Sequence, residues 1–431
     1  PTTPAAYRTE PSGTDRQQVK TAVESLVAQR RPLIFLGNGC RRALRDERLR
    51  NRFEKFVQKF AIPVMTTPHA KGIFPESHEL SLRNYGMTAC RWPQRYMKTP
   101  DDPEHFDGLL VLGSSLGHLS TMAAAAGAYA SSLIPNGPFI QLDLDQSVIG
   151  RNFPFKLGIV AEVGATIEAL CELGDELGLP APHKEEREEL IKSIRKESAF
   201  EDADLRDPKT TGAGINPAAL MKAIGEVLKE NSEKAGGGHI YIDAGNCAGW
   251  SLHHMVIDPP LEYHIPIDMA PMGFAVGAVI GGKIAVPDKP CVAVVGDGAF
   301  LMHGAEVSTA AQNKVGAVWV VLYDNDLRMT SQGIAADFGK GMGRYELGKP
   351  NLVKFAQGLG ADAVAVTRKQ GPQQFREKLQ GALERAERHK PQVIVVRIDD
   401  RPAPPYHWPK RKVPDCRAQR PRRSRVREYG R

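Results

Sequence analysis

The chain has 431 residues, 42% of them hydrophobic and 25% charged, with a formal net charge of +7. These values suit a soluble globular chain of two or three domains; they exclude a disordered, collagen-like or membrane-spanning one. The charge is uneven: residues 402–431 hold ten Lys/Arg against two acids, a local +8, so residues 1–401 carry −1.

Residues 1–15 read as an extended lead-in, and a helix is expected over 16–30. The apolar run Pro32–Leu36 then ends in Gly37-Asn38-Gly39, a buried strand leaving into a turn. Similar runs at 62–65, 109–112 and 139–144, with helical stretches between, predict a parallel α/β domain over 16–182. Residues 183–212 are dense in Lys, Arg, Glu and Asp and read as a solvated helical linker.

A second α/β domain is expected over 213–400, its first helix opened by Asn216-Pro217. Strands are expected at 239–242, 291–295, 317–322, 363–366 and 393–396, and helices at 217–230, 272–285, 302–313, 352–359 and 372–389. The fold class is therefore α/β, with two doubly wound, mostly parallel sheets. Residues 401–431 form a basic Pro/Arg-rich tail whose prolines break any helix before the Arg run. Six scattered cysteines, with no CxxC pair, fit a reducing compartment and a cytoplasmic address. The chain opens at Pro1 without Met, so either Met was trimmed or the chain is part of a longer product.

The stretch from Cys291 to Gly333 carries the chemistry. A buried strand delivers Gly296-Asp297-Gly298 to the carboxyl edge of a parallel sheet, where α/β proteins bind ligands. Glycines allow close backbone approach, and a helix start there faces anions with free N–H groups. One helix and one strand later comes Asp324-Asn325-Asp326. Oxygen ligands at two neighbouring strand ends suit Mg²⁺, which commonly completes its octahedron with phosphate.

This segment resembles the diphosphate-binding motif of thiamine diphosphate enzymes, GDG followed about two dozen residues later by NN. Twenty-four residues, Ala299–Leu322, separate Gly298 from the pair position, which reads Tyr323-Asp324 rather than Asn-Asn. The resemblance implies that Asp297, the Asp324 side chain and the Asp326 carbonyl hold the metal; a shift of one residue would put Asn325 in place of Asp324. Gly296, Gly298, Ala299 and Met329 would then contact the diphosphate. Asp268–Phe274 resembles the segment before GDG in acetolactate-synthase-like and pyruvate-decarboxylase-like members. There Met272 would wedge between the cofactor rings and the Ala270 carbonyl would accept from the aminopyrimidine. Asn246, in Asp243-Ala-Gly-Asn-Cys247, would contact the diphosphate from a short loop. Trp250, His253 and His254 read as structural or surface groups.

Residues 61–82, 106–116 and 141–145 are similar to the family's middle domain. Ser114-Ser115 stand where flavin-binding members carry Arg, so FAD is not expected. The family's pyrimidine-binding domain, which supplies the catalytic glutamate, has no counterpart in the sequence; Glu306 lies on the wrong side. The resemblance therefore implies a split enzyme, with a separate pyrimidine-domain subunit in a heterotetramer. A longer precursor is the rival explanation. The implied substrate is a 2-oxo acid, decarboxylated and then ligated to an acceptor (a lyase or transferase of the acetolactate synthase kind). Leu327, Thr330 and Gln332 are substrate candidates, and Arg328 is either a carboxylate contact or an exposed residue. The alternatives are simple decarboxylation or a non-catalytic regulatory partner. The tail suggests a subunit contact, with residues 406–408 at the site's mouth, rather than nucleic acid; no membrane role is expected.

Overall fold

The computed structural model describes residues 13–122, 131–200, 214–338 and 345–406. Two six-stranded sheets, each parallel throughout, organise it. The first holds β1 (Pro32–Leu36), β2 (Val64–Thr66), β3 (Ser81–Asn84), β4 (Gly108–Leu112), β5 (Phe139–Asp143) and β6 (Leu157–Val160) in the order 3-2-1-4-5-6. The second holds β7 (Gly238–Ile242), β8 (Leu261–His264), β9 (Cys291–Gly296), β10 (Val318–Tyr323), β11 (Asp362–Val366) and β12 (Gln392–Arg397) in the order 11-12-10-9-7-8. β1 and β4 are buried along their whole length, as strands covered by helices on both faces must be. Three edge strands, β3, β6 and β8, escaped the sequence reading.

In the second sheet the chain moves outward from β7 to β8 and then returns to place β9 on the other side of β7. The strand order therefore reverses between β7 and β9. This is the switch point at which open α/β sheets bind ligands. In the first sheet the corresponding crevice, between β1 and β4, is closed by backbone. Gly37 donates to the Leu112 carbonyl at 2.8 Å, and a Cβ on Gly37 would sit 2.1 Å from the Gly113 oxygen.

The linker expectation needs correction. Residues 184–196 do form a helix, Lys184–Lys196, but it docks on the first domain. Ile191 and Ile194 join that domain's core, and Arg187 is only 1% exposed. The Arg187 guanidinium donates to the carbonyls of Phe60 (2.6 Å), Val27 (2.9 Å), Arg30 (3.2 Å) and Gln29. A residue that looked like part of a solvated charge run instead caps the carboxyl ends of two helices, where carbonyls lack partners.

The segment Lys71–His78 joins the two domains. Lys71 and Glu76 form a fully buried pair at 2.7 Å. Glu76 Oε2 accepts from the Ile257 amide at 2.9 Å. Gly72 (φ 80°) lies so close to Ile257 that a Cβ would meet its side chain at 2.3 Å. Ser77 N and Lys229 Nζ both donate to Asp258, each at 2.9 Å. No helix among the described residues is long and apolar enough to cross a membrane.

Candidate active site

A cavity of about 410 Å³ opens at the carboxyl ends of β7, β9 and β10. Its walls include Asn246, Ala270, Met272, Gly296, Asp297, Gly298, Ala299, Asp324, Asp326, Leu327, Met329 and Thr330. Twelve of the residues singled out by the sequence thus face one space. Asn325 and Gln332 do not line it.

β9 ends on Gly296, and the next helix, Asp297–His303, begins on the aspartate itself rather than at 302. Asp297 is 3% exposed. Its Oδ1 accepts from Gly298 N at 2.8 Å; its Oδ2 accepts from Asn325 N at 2.6 Å and Asp324 N at 3.1 Å. One carboxylate therefore ties the turn after β9 to the turn after β10. Burial first, then the neighbouring Asp324, push its pKa up to about 7; the three amides pull against the rise. Burial also raises Asp324, with Arg328 opposing.

Asn325 takes the left-handed conformation (φ 68°), and its Oδ1 accepts from Lys349 N at 2.6 Å. That turn sends Asn325 away from the cavity and leaves Asp324 and Asp326 facing it. Asp326 Oδ1 is buried without a hydrogen-bond partner, while Oδ2 accepts from Ser331 Oγ at 2.7 Å. Clustered hard carboxylate oxygens, one of them unsatisfied, fit a divalent cation of the Mg²⁺ type.

Asn246 was expected in a loop; instead it opens the helix Asn246–His254. Its Nδ2 donates to Gln332 Oε1 at 2.9 Å, and its Oδ1 is buried and unpartnered at the cavity wall. Gln332 in turn donates to the Pro402 carbonyl at 3.1 Å. Trp250, His253 and His254 follow on this helix, all buried, which gives them a structural place.

Met272 and Ala270 stand on a turn before the helix Phe274–Ala285. Ala270 is left-handed (φ 44°), an unfavourable state for a residue with a Cβ, and its carbonyl accepts no hydrogen bond among the described residues. The turn is held by Asp243 at the end of β7, which is fully buried. Asp243 Oδ1 accepts from Gly273 N at 2.8 Å and Ala244 N at 2.9 Å, and Oδ2 accepts from Ala275 N at 2.9 Å. Burial raises the Asp243 pKa and these amides lower it, with burial prevailing. Asp243 has no role legible in the sequence. The signal was a carboxylate ending a buried strand at the switch point.

Two further walls were not foreseen, whereas Tyr406 stands at the mouth as the sequence suggested. Met87 and Leu119 reach in from the first domain, and Ile265 and Ile267 from the segment after β8. Tyr406 packs at the mouth, its hydroxyl donating to the Gly245 carbonyl at 3.2 Å. The expected mouth contacts of residues 407–408 and the Arg run lie outside the described residues. Arg328 is neither a free carboxylate receptor nor a surface residue: it pairs with Asp324 at 2.9 Å and Asp326 at 3.1 Å.

Residues 19–170 match the model of the thiamine pyrophosphate enzyme central domain, and residues 243–396 that of the C-terminal TPP binding domain. Among curated proteins, the chain is 28% identical over 367 residues to "Probable acetolactate synthase large subunit" of Methanocaldococcus jannaschii, covering 85% of this chain and 58% of that one. It is 23% identical over 385 residues to the acetolactate synthase isozyme 1 large subunit of Escherichia coli, covering 89% and 61%. It is 25% identical over 350 residues to the acetolactate synthase large subunit IlvB1 of Mycobacterium tuberculosis, covering 80% and 52%. The chain thus spans a little over half the length of these relatives. With both domain models in sequence order and the second starting at Asp243, directly after β7, and running through β9 and β10, the chain belongs to the thiamine pyrophosphate enzymes, of which it carries the central and the C-terminal TPP-binding domains.

Proposed function

We propose that this chain supplies the diphosphate- and metal-binding half of a thiamine diphosphate site that acts on a 2-oxo acid, decarboxylating it and ligating the product to an acceptor as an acetolactate synthase does. The observation that carries the reading is the buried Asp297–Asp324–Asp326 cluster, with its unpartnered Asp326 Oδ1, facing Met272 across one cavity. Asp297, Asp324 and the Asp326 carbonyl are the residues that would hold Mg²⁺. Gly296, Gly298, Ala299, Met329 and Asn246 would receive the diphosphate. The free Ala270 carbonyl is positioned to accept from an amino group, and Asp243 fixes the turn that presents it and Met272. When bound, thiamine diphosphate supplies the electron sink for carbanion chemistry. Leu327 and Met329 give that chemistry an apolar wall beside the hydroxyl of Thr330, and Gln332 braces Asn246.

The site is one-sided. No glutamate lines the cavity among the described residues, and Glu306 sits away from it, accepting from Thr309. Apolar residues next to the site's elements stand in solvent: Met269, beside the wall residue Ala270, is 89% exposed, and Met302, on the helix that begins at Asp297, 57%. The helix Phe274–Ala285 leaves Gly277, Gly281 and Ile284 uncovered. Exposed apolar surface beside a half-built site fits a covering domain. We assign that cover to a separate pyrimidine-binding subunit bringing the catalytic glutamate, in a heterotetramer.

Calorimetry with thiamine diphosphate and Mg²⁺, on the chain together with the protein that copurifies with it, tests the reading. Saturable binding lost in Asp297→Ala, and pyruvate turnover only in the complex, are expected. Binding without turnover would favour the regulatory role, and no binding at all would refute the cofactor site. Mass spectrometry of the native N-terminus distinguishes a separate subunit from a cover belonging to the same longer chain.

A further inference from the structure

Arg328 is held by an unusual number of carboxylates. It stands on the first turn of the helix Arg328–Phe338, four residues after Asp324. Its Nε donates to Asp324 Oδ2 at 2.9 Å, its Nη1 lies 3.1 Å from Asp326 Oδ2, and its Nη2 lies 3.4 Å from Asp400 Oδ2. Asp324 and Asp326 are nearly fully buried, and Asp400 comes from a different segment, just after β12. The planar fork of a guanidinium can serve three acceptors in this way; an ammonium offers only a point charge. The pairing also binds the β10 turn to the end of the second domain.

The charge balance gives the pairing a purpose. Asp324 stands where the resembled motif has a neutral Asn, so the site carries one extra negative charge. The ligand expected there is itself an anion. A carboxylate a few ångströms from phosphate oxygens, in a medium less polar than water, repels them strongly. Arg328 adds one positive charge, fixed on the carboxylate that created the excess.

We propose that Asp324 and Arg328 act as one unit replacing a neutral Asn, with Arg328 a positioning residue that makes a carboxylate tolerable beside a bound diphosphate. The proposal rests on the cofactor reading above. It makes opposite predictions for cation and anion. Without Arg328 the acid cluster is more negative, so a bare divalent ion binds more tightly and the diphosphate more weakly. With Asn at 324 and Arg328 kept, the bare ion binds more weakly. With both changed, the local charge returns to its original value.

The test is a double-substitution cycle on the full chain with its copurifying partner, read as binding rather than turnover. Mn²⁺ affinity without coenzyme is followed by electron paramagnetic resonance, and thiamine diphosphate affinity at saturating Mg²⁺ by calorimetry. Arg328→Gln is expected to tighten Mn²⁺ at least threefold and to weaken thiamine diphosphate at least tenfold. Asp324→Asn with Arg328→Gln is expected to bring thiamine diphosphate back within threefold of the native chain. Arg328→Lys, which keeps charge and loses the fork, is expected to lie closer to native than Arg328→Gln in both readouts. Circular dichroism identifies any variant that has not folded, and Arg328→Lys then carries the comparison. If Arg328→Gln weakens both ligands, or the double variant shows no recovery, the proposal is overturned and Arg328 merely holds the turn. If the native chain binds neither ligand, the cofactor reading itself falls, and this one with it.

Discussion

Asp243→Asn changes one atom and should be costly. The native carboxylate is fully buried and accepts three amide protons, two on Oδ1 and one on Oδ2. An asparagine whose oxygen keeps Gly273 and Ala244 turns its NH₂ toward the Ala275 amide. One charge-assisted hydrogen bond is lost, roughly 1.5–3 kcal/mol, and two donors then face each other unsatisfied at about 1–3 kcal/mol each. The favourable interaction of a negative charge with the amino end of the helix Phe274–Ala285 goes as well. Against this, a neutral amide is easier to bury than a carboxylate whose pKa is already raised. The net expectation is a loss of about 3 kcal/mol. It is measured as a shift of the urea midpoint at unchanged slope, followed through the buried Trp250 and Trp319 of the second domain. Hydrogen exchange at Gly273 and Ala275 should accelerate about a hundredfold if opening of this turn is what the carboxylate opposes. A loss under about 1 kcal/mol, with exchange unchanged at these two amides, would refute the clamp.

Arg187→Met keeps the volume but strands the carbonyls of Val27, Phe60 and Arg30, so a thermal melt of the chain should record a loss of about 3–5 kcal/mol, with Arg187→Lys only partly better. Gly277→Ala and Gly281→Ala place a methyl group in open space on a helix, so each should stabilise the isolated chain by about 0.5–1 kcal/mol while weakening association with the partner; unchanged association would show that this face is not the interface. Burial and the Lys71 charge push the His254 pKa down to about 4 in the folded chain, against an ordinary value near 6.5. The unfolded chain binds the extra proton between these values, so stability should fall as pH drops from about 6.5 to about 4, by up to about 3 kcal/mol. Unfolding midpoints of His254→Gln should show a correspondingly flatter acid limb, and an unchanged limb would place the acid sensitivity elsewhere.

The sequence made the interiors of both sheets legible because buried parallel strands are short runs of Val, Ile and Leu with few rivals. Of the four edge strands only the apolar β11 was legible. β3 (Ser-Leu-Arg-Asn) and β8 (Leu-Glu-Tyr-His) are too short and polar to announce themselves, and only pairing with β2 and β7 makes them strands. The helix Asn246–His254 was missed for the opposite reason. Eight of its nine residues are buried, so no polar face marks a helical period. The helix Lys184–Lys196 misled because its anchor is an arginine; burial at 187, 191 and 194 is a helical stripe, but one of its three residues carries a charge. At the site, motif spacing located Asp297, Asp324 and Met272. It gave no role to Asp243 and left Arg328 between a carboxylate contact and an exposed residue; the roles of both depend on what the fold brings to them. Asp243 holds amides thirty and thirty-two residues away, and Arg328 meets an acid seventy-two residues on.

That distribution of roles bears on the proposal that the cavity is half an active site. A group that exchanges a proton with a cofactor ring needs a carboxyl free to approach it. Four aspartates line the cavity, and all four are engaged. Asp243 and Asp297 each accept three backbone amides, geometry that fixes the carboxylate in place. Asp324 and Asp326 are tied to Arg328, and Asp326 also to Ser331. Each is built to hold structure or a cation, and releasing any one would undo a turn that shapes the cavity. On the proposed function, the proton-exchanging carboxylate would approach from the side these residues leave open, across Met269, Met302 and the uncovered glycines of the helix Phe274–Ala285. If so, supplying a soluble carboxylic acid should not restore turnover to the isolated chain, because the missing surface must also exclude water. A pyrimidine-domain partner whose only change is its glutamate to glutamine should still bind the chain with native affinity and yield a complex without turnover. Loss of that binding would mean that the glutamate serves assembly rather than proton exchange.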